Sequence, residues 1–185
     1  MTSDPAPSTG GTATIAVAIA VAIEADGWSG ALPDPEALVA EAAIAALLAA
    51  CPDLGPATIS LLLADDSAVS ALNRDWRGKD MPTNVLSFPA TETRAGEIPV
   101  PEFDGVPLEL GDIALAFETC QREATTQRKT LADHTRHLTV HGVLHLLGYD
   151  HVVETEAEQM EALETRILAG LGVADPYAAE RLGDD

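Results

Sequence analysis

The eleven residues from His141 to His151, HGVLHLLGYDH, constrain this chain more than any other stretch. His141 and His145 are four residues apart in a run with helical character, and this spacing places two side chains on one helix face, one turn apart. Such a pair is the usual arrangement of two metal-binding histidines on a helix. Gly148 can adopt the positive φ that ends a helix, so the next turn can return His151 toward the other imidazoles. Three histidines without a fourth protein ligand are typical of a catalytic zinc site, which keeps one position open for water.

Two other histidines, His134 and His137, precede the motif and could share the same helix face. His137 and His145 would lie about 12 Å apart along a helix, too far to bind one ion together with His141. His151 is therefore the better third ligand. The alternative is that the histidine pair is incidental, but a buried helix has little other use for three imidazoles. All-imidazole ligation suits zinc, and also nickel or copper.

The motif resembles the signature of the YbeY family, bacterial metal-dependent endoribonucleases that act in ribosomal RNA maturation. The match includes His, Gly, Leu-His-Leu and Gly-Tyr-Asp-His in register. The resemblance covers roughly residues 57–165. It implies a single-strand-specific endoribonuclease with one zinc ion per chain, acting on the 3′ end of small-subunit ribosomal RNA and in ribosome quality control. The implied partners are ribosomal RNA and the small ribosomal subunit, and neither DNA nor a membrane is expected.

A second segment, NRDWRGKDMPTNVLSF at residues 73–88, resembles another conserved segment of that family. Arg77 falls on the arginine that the family keeps at its active-site cleft, so Arg77 and His141 are the predicted catalytic residues. A guanidinium can bind a phosphate through two hydrogen bonds; the alternative is a solvated or helix-capping arginine. Asn84 stands where the family usually has aspartate, which removes a charge. Ser87 is predicted either to line the cleft or to bond to backbone.

Three further residues are candidates for positioning a ligand or binding substrate. Asp112 lies in a Leu-Gly-Asp-Ile segment that resembles one in the family, and it is predicted either to orient a metal-binding histidine or to cap a turn. His137 matches a histidine that the family often has before the motif, with a structural or ligand-orienting role. Asp150 is close to the histidines in sequence but can equally cap the turn.

The formal net charge of −20 argues against nucleic acid as a partner, because phosphate backbones favour basic surfaces. Clusters of basic residues predict a local basic rim on an acidic body. The members of this rim are Arg74, Arg77, Lys79, Arg122, Arg128, Lys129 and Arg136.

Two other functions remain open at this point. In a metallopeptidase-like hydrolase of the HExxH type, glutamate follows the first histidine, but here that residue is Gly142. The other alternative is a ribosome assembly factor whose zinc is structural and which catalyses nothing.

Hydrophobic periodicity predicts an α+β fold, a single domain with a mixed sheet of about four strands and helices on one side, the metal site lying on a long helix in the C-terminal half. The predicted strands are 14–25, 57–64, 83–89 and 110–117; the predicted helices are 36–50, 68–76, 118–129, 131–147 and 154–168. Residues 1–11 are expected to be a disordered tail, 12–171 the metal-dependent hydrolase domain and 172–185 an acidic tail. Cys51 and Cys120 are far apart and form no CxxC pair, so they indicate no disulfide framework and no zinc knuckle. The apolar run near residues 13–23 is shorter than the ~20 residues that span a bilayer. A soluble, cytoplasmic protein is therefore expected.

Overall fold

A four-stranded mixed sheet forms the centre of the fold in the computed structural model, which describes residues 16–101 and 103–178. Its strands are β1 (Val17–Ile23), β2 (Ala57–Ala64), β3 (Val85–Pro89) and β4 (Leu108–Ala116). The order is β1-β2-β4-β3, with β1–β2 and β2–β4 parallel and β3–β4 antiparallel. The predicted mixed sheet is confirmed, and β3 is one of its edges.

In the part of the chain that the structure describes, six helices surround the sheet: α1 (Asp26–Ala31), α2 (Pro35–Ala50), α3 (Asp66–Arg77), α4 (Phe117–Thr126), α5 (Leu131–Leu146) and α6 (Glu154–Gly170). The α+β, single-domain prediction is confirmed. Helix α1 was not predicted, because six residues are too few to show a helical period. It is held by Trp28, which is fully buried and donates a hydrogen bond from Nε1 to the carbonyl of Ala64 at 3.0 Å.

Helices pack on both faces of the sheet, one face being covered only in part, which corrects the expectation that all helices lie on one side. Alternate residues of β2, including Ile59 and Leu61, join the main core with α2, α5 and α6. On the opposite face, Val69 of α3 packs with Leu86 and Ala114 in a smaller cluster. Helix α3 therefore covers part of the second face of the sheet.

Helix α5 lies unusually close to the sheet at Gly142. A Cβ added there would be 3.0 Å from Ile113 and 3.2 Å from the Ser87 hydroxyl. Gly142 is thus a packing residue, and its contact fixes the helix that carries His141 and His145 against β3 and β4.

The chain ends lie partly outside the described residues. The predicted tail 1–11 and the start of the first predicted strand are in the part not described. The first residues of the predicted acidic tail fold back onto the domain, because Val173 is 8% exposed and Tyr177 donates a hydrogen bond to Glu164. Within residues 16–101 and 103–178, no helix has the length and apolar character needed to cross a membrane.

Candidate metal centre and active-site cleft

The structure brings the three predicted ligands together. The imidazole centroids of His141 and His145 are 4.5 Å apart on one face of α5, and their Nε2 atoms are 3.0 Å apart. The ring of His151 lies 5.5 Å from that of His141 and 5.1 Å from that of His145. One nitrogen from each of the three lies within 4.8 Å of the others.

The return of the chain toward the helix depends on Gly148. Its φ is +82°, and its N–H bonds to the His145 carbonyl at 3.1 Å while the next N–H bonds to that of Leu144 at 3.0 Å. A Cβ at this position would collide with the carbonyl oxygen of Thr93. Glycine is therefore required both for the turn and for the close approach of the loop that contains Thr93.

Glu164 of α6 is a functional residue that the sequence did not reveal. Its side chain is fully buried, and Oε1 accepts a 2.7 Å hydrogen bond from His141 Nδ1. Because a carboxylate can only accept, Nδ1 carries the proton and Nε2 keeps the lone pair that a metal requires. Oε2 of the same carboxylate lies 3.2 Å from His137 Nε2 and also accepts from the Tyr177 hydroxyl. The only sequence signal was an acidic residue on the apolar face of an amphipathic helix, one turn from Met160 and from Leu168.

The protonation of these groups suits metal binding. Burial is the main cause that lowers the pKa of His145, and together with the nearby His141 and His151 it brings that pKa to about 4. His145 is consequently neutral at pH 7, with a lone pair available. Burial by itself raises the pKa of Glu164, but the hydrogen bonds from His137 and His141 outweigh burial and bring that pKa to about 2. The carboxylate is therefore ionised.

The donor set fits a divalent transition metal. A tetrahedral ion with Zn–N bonds of ~2.1 Å holds its nitrogens about 3.4 Å apart, and the 3.0 Å between the Nε2 atoms of His141 and His145 agrees within a few tenths of an ångström. The carboxylate behind His141 is the kind of partner that metal-binding imidazoles usually have. The exposed member of the set is His151.

Arg77 lies in the cleft onto which the histidines open. It is the last residue of α3, and its Nη2 donates to the carbonyl of Ser87 in the edge strand β3 at 3.0 Å. Ser87 also lines the cleft, but its hydroxyl donates to the backbone carbonyl of Gly142 at 3.3 Å. The side chain of Asp150 accepts from the backbone N–H of His151 at 2.7 Å, so it stabilises the turn beside the cleft.

Asp112 is not near the three imidazoles, and the expectation that it orients a ligand is wrong. A bulge in β4 at Leu110 and Gly111 shifts the alternation of side chains. Ile113 therefore faces α5, whereas Asp112 is exposed on the opposite side of the sheet, in a groove beside α3. His137, by contrast, contacts the carboxylate that holds His141.

Asn84 forms part of a polar cluster next to the candidate metal site. Its Nδ2 donates to Glu123 Oε2 at 2.9 Å, and His134, which is 2% exposed, donates to the same oxygen at 2.8 Å. Burial is the main cause that lowers the pKa of His134. An aspartate at position 84 would place a second carboxylate against Glu123, so the amide suits this chain.

The cleft has a volume of about 880 Å³. Part of its wall comes from residues 91–97, a segment without helix or strand. Besides the histidines, the charged residues that line the cleft are two arginines and three carboxylates: Arg77, Arg94, Glu92, Glu97 and Asp150.

The predicted basic rim is partly neutralised. Three of its arginines form ion pairs with carboxylates, and Lys129 donates to a backbone carbonyl. The pairs are Arg74 with Asp75 and Asp80, Arg122 with Asp66, and Arg136 with Glu41 and Asp133. Of the seven residues, only Arg77 lines the cleft, and Arg94 is the cation there that sequence reasoning missed.

Comparison with known proteins agrees with this geometry. The sequence model of a family described as Endoribonuclease YbeY matches residues 36–172, most of the chain and all three histidines. The chain belongs to the YbeY family. A relative named Endoribonuclease YbeY from Paramagnetospirillum magneticum is 53% identical over 90% of this chain and 99% of its own length. Another of that name from Rhodospirillum rubrum is 56% identical over 83% of this chain and 78% of its own.

A solved structure shares the fold. The solution structure of a Thermotoga maritima protein superposes with a TM-score of 0.52, covering 90% of this chain and 94% of that one. The two sequences are 19% identical, so this similarity describes the fold alone. The predicted family and architecture are confirmed.

Proposed function

We propose that this YbeY-family protein is a zinc-dependent, single-strand-specific endoribonuclease that matures the 3′ end of small-subunit ribosomal RNA and takes part in ribosome quality control. One observation carries the proposal: three imidazoles converge at a cleft that also contains an arginine without a carboxylate partner among the described residues. The names of the relatives support RNA as the substrate. The proposed setting is the cytoplasm, with the small ribosomal subunit as partner.

The residues of the cleft have separate roles in this proposal. His141, His145 and His151 hold one divalent ion, and Glu164 fixes the tautomer of His141. When bound, the ion would lower the pKa of a water molecule and polarise a phosphoryl oxygen. Arg77 binds the scissile phosphate and stabilises the charge that builds on it during cleavage.

Charge in the cleft makes RNA binding depend on the metal. Without an ion, the three carboxylates exceed the two arginines by one negative charge. A divalent ion reverses the sign, which favours a phosphate there. This local reversal accounts for RNA binding by a chain whose overall charge is −20.

The structure weighs against the peptidase alternative. A peptidase of the HExxH type needs glutamate after the first histidine, but the Cβ of any side chain at position 142 would lie 3.0 Å from Ile113. The helix is packed too closely for a glutamate that faces the cleft. The remaining alternative is an assembly factor whose zinc is structural.

The test is cleavage of a single-stranded RNA that carries the 3′ end of the small-subunit ribosomal RNA precursor. Wild type, His141→Ala, Arg77→Ala and Arg166→Ala would be purified in parallel; Arg166 is an exposed arginine of α6 and serves as the control. We expect His141→Ala and chelator-treated wild type to be inactive and Arg166→Ala to be unchanged. For Arg77→Ala we expect kcat/KM to fall by about 10- to 150-fold, the effect of losing one hydrogen bond to a charged phosphate.

Other outcomes identify the alternatives. Equal cleavage by wild type and His141→Ala would expose a contaminating nuclease. Absence of cleavage by zinc-loaded wild type, together with unfolding of His141→Ala, would favour the assembly factor. Cutting of a DNA of the same sequence would contradict specificity for RNA.

A further inference from the structure

Trp76 exposes its indole beside the cleft. Its side chain is 74% exposed, whereas the other tryptophan, Trp28, is fully buried. Trp76 directly precedes Arg77 in α3, and its ring lies 6.1 Å from that of Phe88 in an edge-to-face arrangement. Tryptophan is highly buried on average, so this exposure suggests that something packs there.

The indole borders a groove on the α3 side of the sheet, with a volume of about 900 Å³. Aliphatic side chains of three strands form most of its floor. Arg77, Ser87 and Pro89 line both this groove and the metal cleft, so the two are continuous around the edge strand β3. A strand of RNA that leaves the cleft past Arg77 meets Trp76 next.

The charges in the groove favour a base over a phosphate. Apart from Arg77, its charged residues are Glu109 and Asp112, which repel the RNA backbone. The cations nearest in sequence to Trp76 are Arg77, which follows it, and Arg74, which forms ion pairs with Asp75 and Asp80. The backbone therefore stays on the arginine side while an uncharged ring enters the groove.

We propose that Trp76 stacks against a nucleobase of single-stranded RNA that flanks the nucleotide bound at the metal cleft; this inference rests on the proposed function. Every base has a π face, so stacking tolerates any sequence. Bases in a duplex are already stacked on each other and cannot reach the indole. Trp76 is thus a determinant of the preference for single strands.

The experiment measures binding of a ten-nucleotide single-stranded RNA, with fluorescein at its 5′ end, to the zinc-loaded, full-length protein. Stopped-flow anisotropy of the label gives the affinity of every variant before slower cleavage occurs. In wild type, tryptophan fluorescence also reports on Trp76 because Trp28 is buried. The variants are Trp76→Ala, Trp76→Phe and Phe103→Ala, the last removing another exposed aromatic residue, 65% exposed and outside the groove. Melting temperatures confirm that each variant is folded.

We expect RNA to quench the indole fluorescence of wild type. Trp76→Ala should bind about 5- to 150-fold more weakly, the range expected for loss of one base–aromatic stack. Trp76→Phe should retain most of the affinity, and Phe103→Ala all of it. In cleavage assays, the effect of Trp76→Ala should fall on KM rather than kcat. Wild type should bind an RNA with an abasic nucleotide at the stacked position as weakly as Trp76→Ala binds the intact RNA. The abasic nucleotide should lower the affinity of Trp76→Ala little further.

Unchanged affinity in Trp76→Ala, with RNA still cleaved, would overturn the stacking role and leave the proposed function intact. An equal loss in Phe103→Ala would also overturn it, since the effect would then be general. Binding and quenching without any cleavage would support the stack while refuting the nuclease. If wild type neither binds nor cleaves RNA, both are wrong.

Discussion

Replacing Glu164 by glutamine tests how the proposed metal site is held. The buried carboxylate accepts from His141, His137 and Tyr177. Glutamine keeps the volume but has one acceptor oxygen and one NH₂ group. If the NH₂ faces His141, Nδ1 must accept and the proton moves to Nε2, where the metal needs a lone pair. If the NH₂ faces the other way, His137 and Tyr177 must both become acceptors.

Either arrangement removes the negative charge behind His141 that makes the imidazole a stronger ligand. Loss of such a supporting carboxylate typically weakens metal binding by about 10- to 100-fold, or ~1.4–2.7 kcal/mol. We therefore expect the Kd for Zn²⁺ of Glu164→Gln to rise by this factor. Cleavage at limiting zinc should fall in proportion and recover at saturating zinc.

The assay is a zinc competition against a chromophoric chelator at pH 7.5, with Glu158→Gln, an exposed glutamate of the same helix, as control. Tyr177→Phe, which removes one donor but keeps the carboxylate, should have a smaller effect. Circular dichroism establishes that the variants are folded. A Kd within twofold of wild type in a folded Glu164→Gln protein would refute the role assigned to the carboxylate.

Two further predictions concern stability. Gly148→Ala should lower the free energy of unfolding by about 1–2 kcal/mol because alanine is strained in the left-handed region, and by more because its Cβ collides with the neighbouring loop. Gly78→Ala should lower it only by the first amount, because Gly78 has φ +66° but open space around it. Urea unfolding compares the two proteins, and equal losses would contradict the role of the loop contact. Burial holds the pKa of His134 in the folded protein below its unfolded value, which is near 6.5. The unfolded chain therefore takes up the proton first as pH falls. The contribution of neutral His134 to the free energy of unfolding is complete above pH 6.5 and declines as pH falls toward the folded pKa. The loss of unfolding free energy between pH 7.5 and 5.5 should thus be smaller in His134→Gln than in wild type, by at most about 1.4 kcal/mol for one proton over one pH unit, and identical pH dependence would show that His134 is not the group.

Local patterns predicted most of the elements correctly. Strand β2 agrees with its prediction at both ends, and the alternating valines, isoleucines and alanines of β1 do face opposite sides of the sheet. The prediction failed where a pattern was too short or was interrupted. Helix α1 has fewer than two turns, and the bulge at Gly111 turns Asp112 to the other face, which no period-two pattern can anticipate.

The sequence by itself determined the histidine triad, because all three histidines lie within eleven residues, on one helix and the turn that ends it. Helix geometry and one glycine were sufficient to bring them together. Only the tertiary structure decided what surrounds them. Glu164 comes from another helix, the cleft wall from an irregular loop, and the groove beside Trp76 from the uncovered face of the sheet. These contacts join residues that are distant in sequence. They depend on how closely α5, α6 and β4 pack, and the spacing of residues within one element does not specify that packing.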